Sequence, residues 1–301
     1  LFKDTKFMKE NRHKPSTANF FWEGTLTDYE VASINSFVRN DFSVNLWTYN
    51  KNSFSEIRTE VEIKDASEIL SIDLLNKLTQ NLQKANYSSF SNLFRYKLLD
   101  VYGGWWFDTD CFCQKNVLEF EKIISNRDYV LGLERKNYVG SAVMYFTDTK
   151  LLKQIEDKAY ELIKENNYRL KWGQIGPDLI TDVVISNELI DNILDPTYFF
   201  PVPPNKIEKI FNPNIEQNEE NEISKSFICH TWNEMFRKYN INKTIYPPRN
   251  SYLFNQFHIN NIEYTSERKI YSKLFMLRFN SVISILFKLF SRIKVIIKNY
   301  K

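Results

Sequence analysis

The sequence predicts an α/β fold, and three observations carry that expectation. Short apolar and aromatic runs of strand length alternate with longer segments whose apolar residues recur every three or four positions. Near the N-terminus a strand, a helix and a second strand follow one another, the pattern of a parallel βαβ unit. The chain has 301 residues, 43% hydrophobic and 16% aromatic, enough to fill the core of one large α/β domain or two small ones.

The elements follow in order. Leu1 to Thr17 is polar and basic and holds no apolar core long enough for a signal peptide. Asn19 to Trp22 reads as the first strand. Thr27 and Glu30 make a capping box for a helix reaching Asn40. Phe42, Val44, Leu46 and Thr48 then alternate with Ser43, Asn45 and Trp47 as a second strand. Asp65 to Tyr87 contains a helical stretch marked by Leu70, Leu74, Leu75, Leu78 and Leu82. From Ser88 or Ser89 a further helix carries Phe90, Phe94, Leu98 and Val101 on one side and Asn92 and Arg95 on another. Gly103 and Gly104 stop it.

Trp105 to Phe107 form a short strand that delivers Asp108-Thr109-Asp110, and strand alternation would point both aspartates to one side. Two carboxylates beside an apolar wall are costly unless a cation lies between them. A hard divalent ion such as Mn²⁺ or Mg²⁺ fits oxygen ligands and leaves room for phosphate oxygens. Asp-x-Asp alone is weak, because most such triplets are solvated loop charges. Beyond it, Tyr129 to Leu133 and Val139 to Phe146 read as strands, with Glu134 between them able to bind a sugar, accept a proton, or simply be solvated. Asp148 or Thr149 caps a helix through Asn166, and Pro177 opens another after Gly176. That second helix start could face phosphate or sugar oxygens, while Asp178 suits its dipole. Phe227 to Trp232 is a strand ending in His230.

Ser91, Asn92, Arg95, Leu99, Gly103, Gly104, Asp108 and Asp110 stand in the register S-D-x-x-R-x-x-x-L-x-x-x-G-G-x-x-x-D-x-D. In this the chain resembles the DXD glycosyltransferases, the family of bacterial capsular-polysaccharide transferases and α-1,4-galactosyltransferases, and more distantly the clostridial glucosylating toxins. Trp172 to Pro177 resembles the family's W-G-x-x-G-P, Tyr198 to Pro204 its F-Y-P-x-P, and His230-Thr231-Trp232 its H-x-W. Two positions depart: Asn92 stands where the family usually has Asp, and Val139-Gly140-Ser141 replaces a usual Asn-Gly. The resemblance implies a GT-A fold, a UDP-sugar donor, Mn²⁺ or Mg²⁺, and transfer with retention to a glycan or lipid-linked saccharide. It assigns the metal to Asp110, His230 and Asp108, or else Asp108 to ribose and sugar hydroxyls. Arg95 and Asn92 would bind sugar hydroxyls, Gly176 would border the donor, and Trp232 would pack beside His230. Trp22 either stacks on the uracil or is a core tryptophan. Galactose is the first expectation, with glucose and N-acetylglucosamine open.

Three cysteines give no even-numbered disulfide framework and suggest a reducing compartment. Cys111, Cys113 and Cys229 read as packing residues, with a CxC metal site the sharper alternative. The net charge of +3 is uneven: from Arg268 onward there are nine Lys or Arg and no acid, so the remainder is net acidic. This excludes a basic nucleic-acid cleft. Residues 1–263 are expected to be the catalytic domain and 264–301 a basic amphipathic tail lying on an anionic membrane, or packing back on the domain or in a dimer. Its longest uncharged run, Phe279 to Phe287, is too short to span a bilayer. The expected setting is bacterial surface-polysaccharide synthesis, peripheral on the inner face of the cell membrane. Two other functions stay open: a catalytically silent, membrane-attached UDP-sugar-binding module, and a DxD phosphatase, although the D-x-D-G-T continuation of the latter is absent.

Overall fold

Alternating side chains along each strand divide the apolar residues between two faces, and a six-stranded sheet with two cores is the result. The computed structural model describes residues 13–50, 57–79, 87–213, 222–264 and 269–272. The strands are β1 (Thr17–Phe21), β2 (Ser43–Thr48), β3 (Glu62–Asp65), β4 (Trp105–Phe107), β5 (Cys111–Cys113), β6 (Tyr129–Arg135), β7 (Tyr138–Phe146) and β8 (Ile228–His230). The helices are α1 (Asp28–Arg39), α2 (Ile72–Thr79), α3 (Tyr87–Val101), α4 (Val117–Ile124), α5 (Lys150–Glu165), α6 (Pro177–Ser186), α7 (Asn233–Lys238) and α8 (Tyr252–Ile259). The main sheet runs β3-β2-β1-β4-β7-β6, parallel through β4 and antiparallel at β7 and β6. It is the mixed sheet flanked by helices that a GT-A fold requires. A second, two-stranded sheet joins β5 to β8.

Phe20, Leu46, Trp105 and Phe107 face one core together with Val31, Ile34 and Phe37 of α1. Phe21, Trp47 and Trp106 face the other, with Phe90 and Phe94 of α3 and the apolar sides of α5 and α6. A strand covered on both faces reads as a continuous apolar run, and β4 (Trp-Trp-Phe) does. The βαβ unit forms as expected, with Thr17 opposite Ser43 and Phe21 opposite Trp47. Its capping box forms too: Glu30 Oε2 accepts from the Thr27 amide at 2.9 Å.

Asn19, wholly buried in β1, stitches three strands. Its Nδ2 donates to the carbonyls of Gly103 (3.1 Å) and Trp105 (2.9 Å), and its Oδ1 accepts from Asn45 Nδ2 (3.0 Å) and Trp47 Nε1 (3.1 Å). All four hydrogen-bonding positions of the amide are used, so burial carries no unsatisfied penalty. Gly104, at φ +83°, has no Cβ to strike Asn19 Nδ2, which would lie 2.9 Å away. The amide therefore fixes where β4 starts, and so where the acidic triplet ends up.

Two expectations change. Strand β4 ends at Phe107, and Asp108 to Asp110 form a turn, closed by Cys111 N donating to the Asp108 carbonyl at 3.0 Å. Strand alternation thus does not govern the two aspartates. The expected helix within Asp65 to Tyr87 is preceded by an unexpected strand, β3, whose polar Glu-Ile-Lys-Asp sequence lies at the sheet edge, where few apolar side chains are needed. The helix itself covers Ile72–Thr79, and Leu82 lies outside the described residues. The expected strand ending in His230 forms over Ile228–His230 and pairs with β5. Residues 1–12 and the basic stretch 273–301 also lie outside the described residues. Among the described residues no helix is long and apolar enough to cross a membrane.

Candidate functional site

A cleft of about 580 Å³ opens beyond the carboxyl ends of β1 and β4, where ligands bind in open α/β sheets. Trp22 and Glu23 line it after β1, Asp108 to Asp110 after β4, and Glu134, Arg135 and Tyr138 from the β6–β7 hairpin. Trp172, Gly173 and Pro177 line it ahead of α6, and His230 and Trp232 after β8.

The turn sends the two aspartates to different partners. Asp108 Oδ1 accepts from Trp106 Nε1 at 2.9 Å and meets Arg95 Nη2 at 3.1 Å. Arg95 is buried and wholly engaged: it also donates to the Ser141 carbonyl, to Ser91 Oγ (3.1 Å) and to the Ser91 carbonyl (3.2 Å), and it stacks over Trp106. One arm of its fork meets Asp108 and the other the Ser141 carbonyl, so sugar hydroxyls reach it only beside those contacts. A carboxylate held in this way is unlike the free nucleophile that a phosphatase needs.

Asp110 turns toward β8. Its Oδ1 lies 3.1 Å from His230 Nε2, and its Oδ2 accepts from the Asn233 amide at 2.6 Å. Its own carbonyl accepts from Thr231 N and Oγ1, both at 2.9 Å. Burial alone would raise the carboxyl, but His230, the Asn233 amide and Lys243 outweigh it and lower the pKa to about 2. Burial likewise opposes charge on His230, yet Asp110, then Asp108 and Glu134, raise its pKa above the ordinary value. Cys111, opposite His230 in the β5–β8 pair, completes a group of three possible ligands within 4.8 Å. Burial, then Asp110 and Asp108, hold the Cys111 thiol far above its usual range, so it stays protonated. All three cysteines are free and buried.

The residues fit a hard divalent ion. The 3.1 Å between Asp110 Oδ1 and His230 Nε2 matches neighbouring ligands of an octahedral ion, which stand about 3 Å apart when each lies about 2.1 Å from the metal. His230 Nδ1, on the other edge of the ring, is a buried polar atom with no partner among the described residues, and a cation at Nε2 would leave it so. Carboxylate with imidazole suits Mn²⁺.

Of the remaining expected residues, Trp22, Asn92 and Trp232 line the same cleft, while Gly176 is not among its lining residues. Trp22 is half-buried, packed against the core on one side and lining the cleft on the other. Asn92 is buried against Gly176, where a Cβ would fall 2.4 Å from its Nδ2. The glycine serves contact with this side chain. Trp232 sits in the left-handed region (φ 59°, ψ 63°), held by Nε1 donating to the Val202 carbonyl at 2.7 Å and by its ring against His230. Sequence reasoning gave Glu30 only a capping role and did not single out Lys243. The wholly buried Glu30 pairs with Lys243 and accepts from Asn233 Nδ2 at 3.2 Å, bracing the segment that carries Asp110's amide partner. The capping box already named Glu30; nothing local marked Lys243, which lies far off in the chain.

Two family models match the chain. One, glycosyltransferase sugar-binding region containing DXD motif, matches residues 12–130; the other, alpha 1,4-glycosyltransferase conserved region, matches residues 158–256. The first takes in Trp22, Asn92, Arg95, Asp108 and Asp110, and the second Gly176, His230 and Trp232. Among solved structures the chain is similar to the PaToxG glycosyltransferase, at 15% identity and TM-score 0.41, over 57% of this chain and 68% of that one. It is also similar to the glycosyltransferase GlyE of Streptococcus pneumoniae TIGR4, at 13% identity and TM-score 0.40, over 85% of this chain and 66% of that one. The chain therefore spans just under two thirds of the length of GlyE. No curated protein sequence matches it.

Proposed function

With the chain a DXD-motif glycosyltransferase, we propose that it transfers a hexose, galactose first, from a UDP-sugar to a hydroxyl of a glycan or lipid-linked saccharide. The observation that carries this is the meeting of Asp110 with His230 Nε2 from distant segments, in a cleft that also holds Trp22 and Asp108. Asp110 and His230 would hold a divalent cation, Mn²⁺ or Mg²⁺, and Asp108 would support them or bind ribose and sugar hydroxyls through Oδ2, which no hydrogen bond or ion pair among the described residues occupies. When bound, the cation neutralises charge on the departing diphosphate.

The protein's own groups supply position. Trp22 offers a ring face at the end of β1 for the uracil. Arg95 and Trp106 fix the rotamer of Asp108 before any ligand arrives. The Asn233 amide fixes Asp110, and the apolar rings of Phe200 and Trp232 enclose His230 and exclude water around it. Asn92 and Arg95 border the sugar. Retention of anomeric configuration belongs to the same proposal and rests on the family resemblance. So does attachment to an anionic membrane surface through 264–301, in bacterial surface-polysaccharide synthesis on the cytoplasmic side.

Release of UDP from a panel of UDP-sugars, with Mn²⁺ and with EDTA, tests this. Turnover of one donor, lost with EDTA and reduced at least ~100-fold in Asp110→Ala, is expected. Full metal-dependent turnover by Asp110→Ala would sink the assignment.

A further inference from the structure

Glu134 is placed by the backbone with more care than a solvated loop carboxylate needs. It is the extra residue of a β-bulge: Leu133 pairs with Val139 and Arg135 with Tyr138, so two steps on β6 answer one on β7. Bulges of this kind re-aim a side chain, often beside an active site. Beneath it, Gly140 leaves room that a Cβ would close, lying 2.9 Å from Glu134 Cγ and 2.5 Å from Phe200. The seated side chain lines the cleft, half-buried, and forms no hydrogen bond or ion pair among the described residues.

Strand order says which end of the substrate it meets. Across the sheet, Trp22 follows β1, the Asp108–Asp110 turn follows β4, and Glu134 stands on β6, beyond β7. On the functional reading above, nucleoside, diphosphate and sugar take the same order. Glu134 then lies past the diphosphate, on the side where Tyr138 and the exposed Trp172 form the rim of the cleft. We propose that Glu134 is the acceptor-side base: it accepts a hydrogen bond from the attacking hydroxyl and takes its proton. As the acceptor O–C1 bond forms on the face from which UDP departs, as retention requires, the C1–O bond to the β-phosphate breaks and its electron pair leaves with UDP. The acceptor O–H proton ends on the Glu134 carboxylate, so charge and atoms balance.

The surroundings agree with a proton acceptor. Burial raises Glu134 above the ordinary glutamate range, Asp108 and Asp178 push the same way, and His230 and Arg135 oppose them. A carboxylate raised in this direction is a stronger base than a solvated one.

Glu134→Gln keeps the shape and removes the proton acceptor. Measured as UDP released from the preferred UDP-sugar with water as acceptor, and as UDP affinity with Mn²⁺ present, the variant should lose ~10²- to 10⁴-fold in turnover with UDP affinity within about twofold of wild type. Preserved affinity also shows that the variant is folded. Glu134→Asp, which keeps the carboxylate but draws it back, should recover part of the rate. Turnover of Glu134→Gln within a few-fold of wild type overturns the proposal, as does an equal loss of UDP affinity, which would make Glu134 a donor or structural group. A wild-type protein that binds no UDP overturns the transferase reading on which the proposal rests, a separate result.

Discussion

Gly176→Ala offers a sharp test of how α3 and α6 are fitted together. The added Cβ would lie 2.4 Å from Asn92 Nδ2, 2.9 Å from its Cγ and 3.0 Å from its Oδ1. Contacts to carbon are comfortable only near ~3.5 Å, so the buried Asn92 side chain must retreat by about 1 Å. Overpacking of that size costs about 1–3 kcal/mol. It also strains the helix that carries Arg95, and through it Asp108, and a 1 Å misplacement near reacting groups costs up to ~10²-fold in rate. Asn92→Ala deletes all three clashing atoms. Urea midpoints for wild type, both single variants and the double variant form a cycle in which backbone strain at position 176 cancels. We expect a coupling of about 1–3 kcal/mol, with Gly176→Ala much less harmful once Asn92 is shortened. Additivity within ~0.5 kcal/mol would refute the reasoning, because Asn92 would then not be what the missing Cβ accommodates.

Two further outcomes follow from the charged groups. Arg95→Met should destabilise the fold by roughly 3 kcal/mol in urea titration, because it leaves Asp108 and the Ser141 carbonyl without their buried donor, and Arg95→Lys should recover little for want of the planar fork; stability equal to wild type in both would show that Arg95 is not the brace of Asp108. The Asp110–His230 pair should shape the pH dependence of metal-free protein. Asp110 is lowered to about 2, so its contribution is complete above the ordinary 3.8 and lost as pH falls through the folded value; His230 is raised, so its contribution is complete below 6.5 and lost as pH climbs through the folded value. Melting temperature with EDTA should therefore plateau between about 3.8 and 6.5, and Asp110→Asn should remove that plateau; a plateau unchanged in the variant would dissociate the pair from it.

Much of the fold was legible because its signals are local. The capping box at Thr27 and Glu30, the alternation through Phe42 to Thr48, and Pro177 as a first helical residue each depend on neighbours a few positions apart. Strand β3 was not legible, because a polar edge strand lacks the apolar alternation by which strands are recognised. The spacing of Asn92, Arg95, Asp108 and Asp110 picked out side chains that the structure brings to one cleft.

The sequence by itself determined the alternating elements, the acidic triplet at the end of an apolar strand, and a histidine at the end of another. Only the tertiary structure decided that the triplet is a turn, that Asp108 goes to Arg95 while Asp110 goes to His230, and that Glu134 rides a bulge over Gly140. The physical reason is range. Backbone preference and hydrophobic period act over a few residues. The direction of a carboxylate is set by whichever charges and donors the folded chain places against it, here an arginine thirteen positions before Asp108 and a histidine 120 after Asp110.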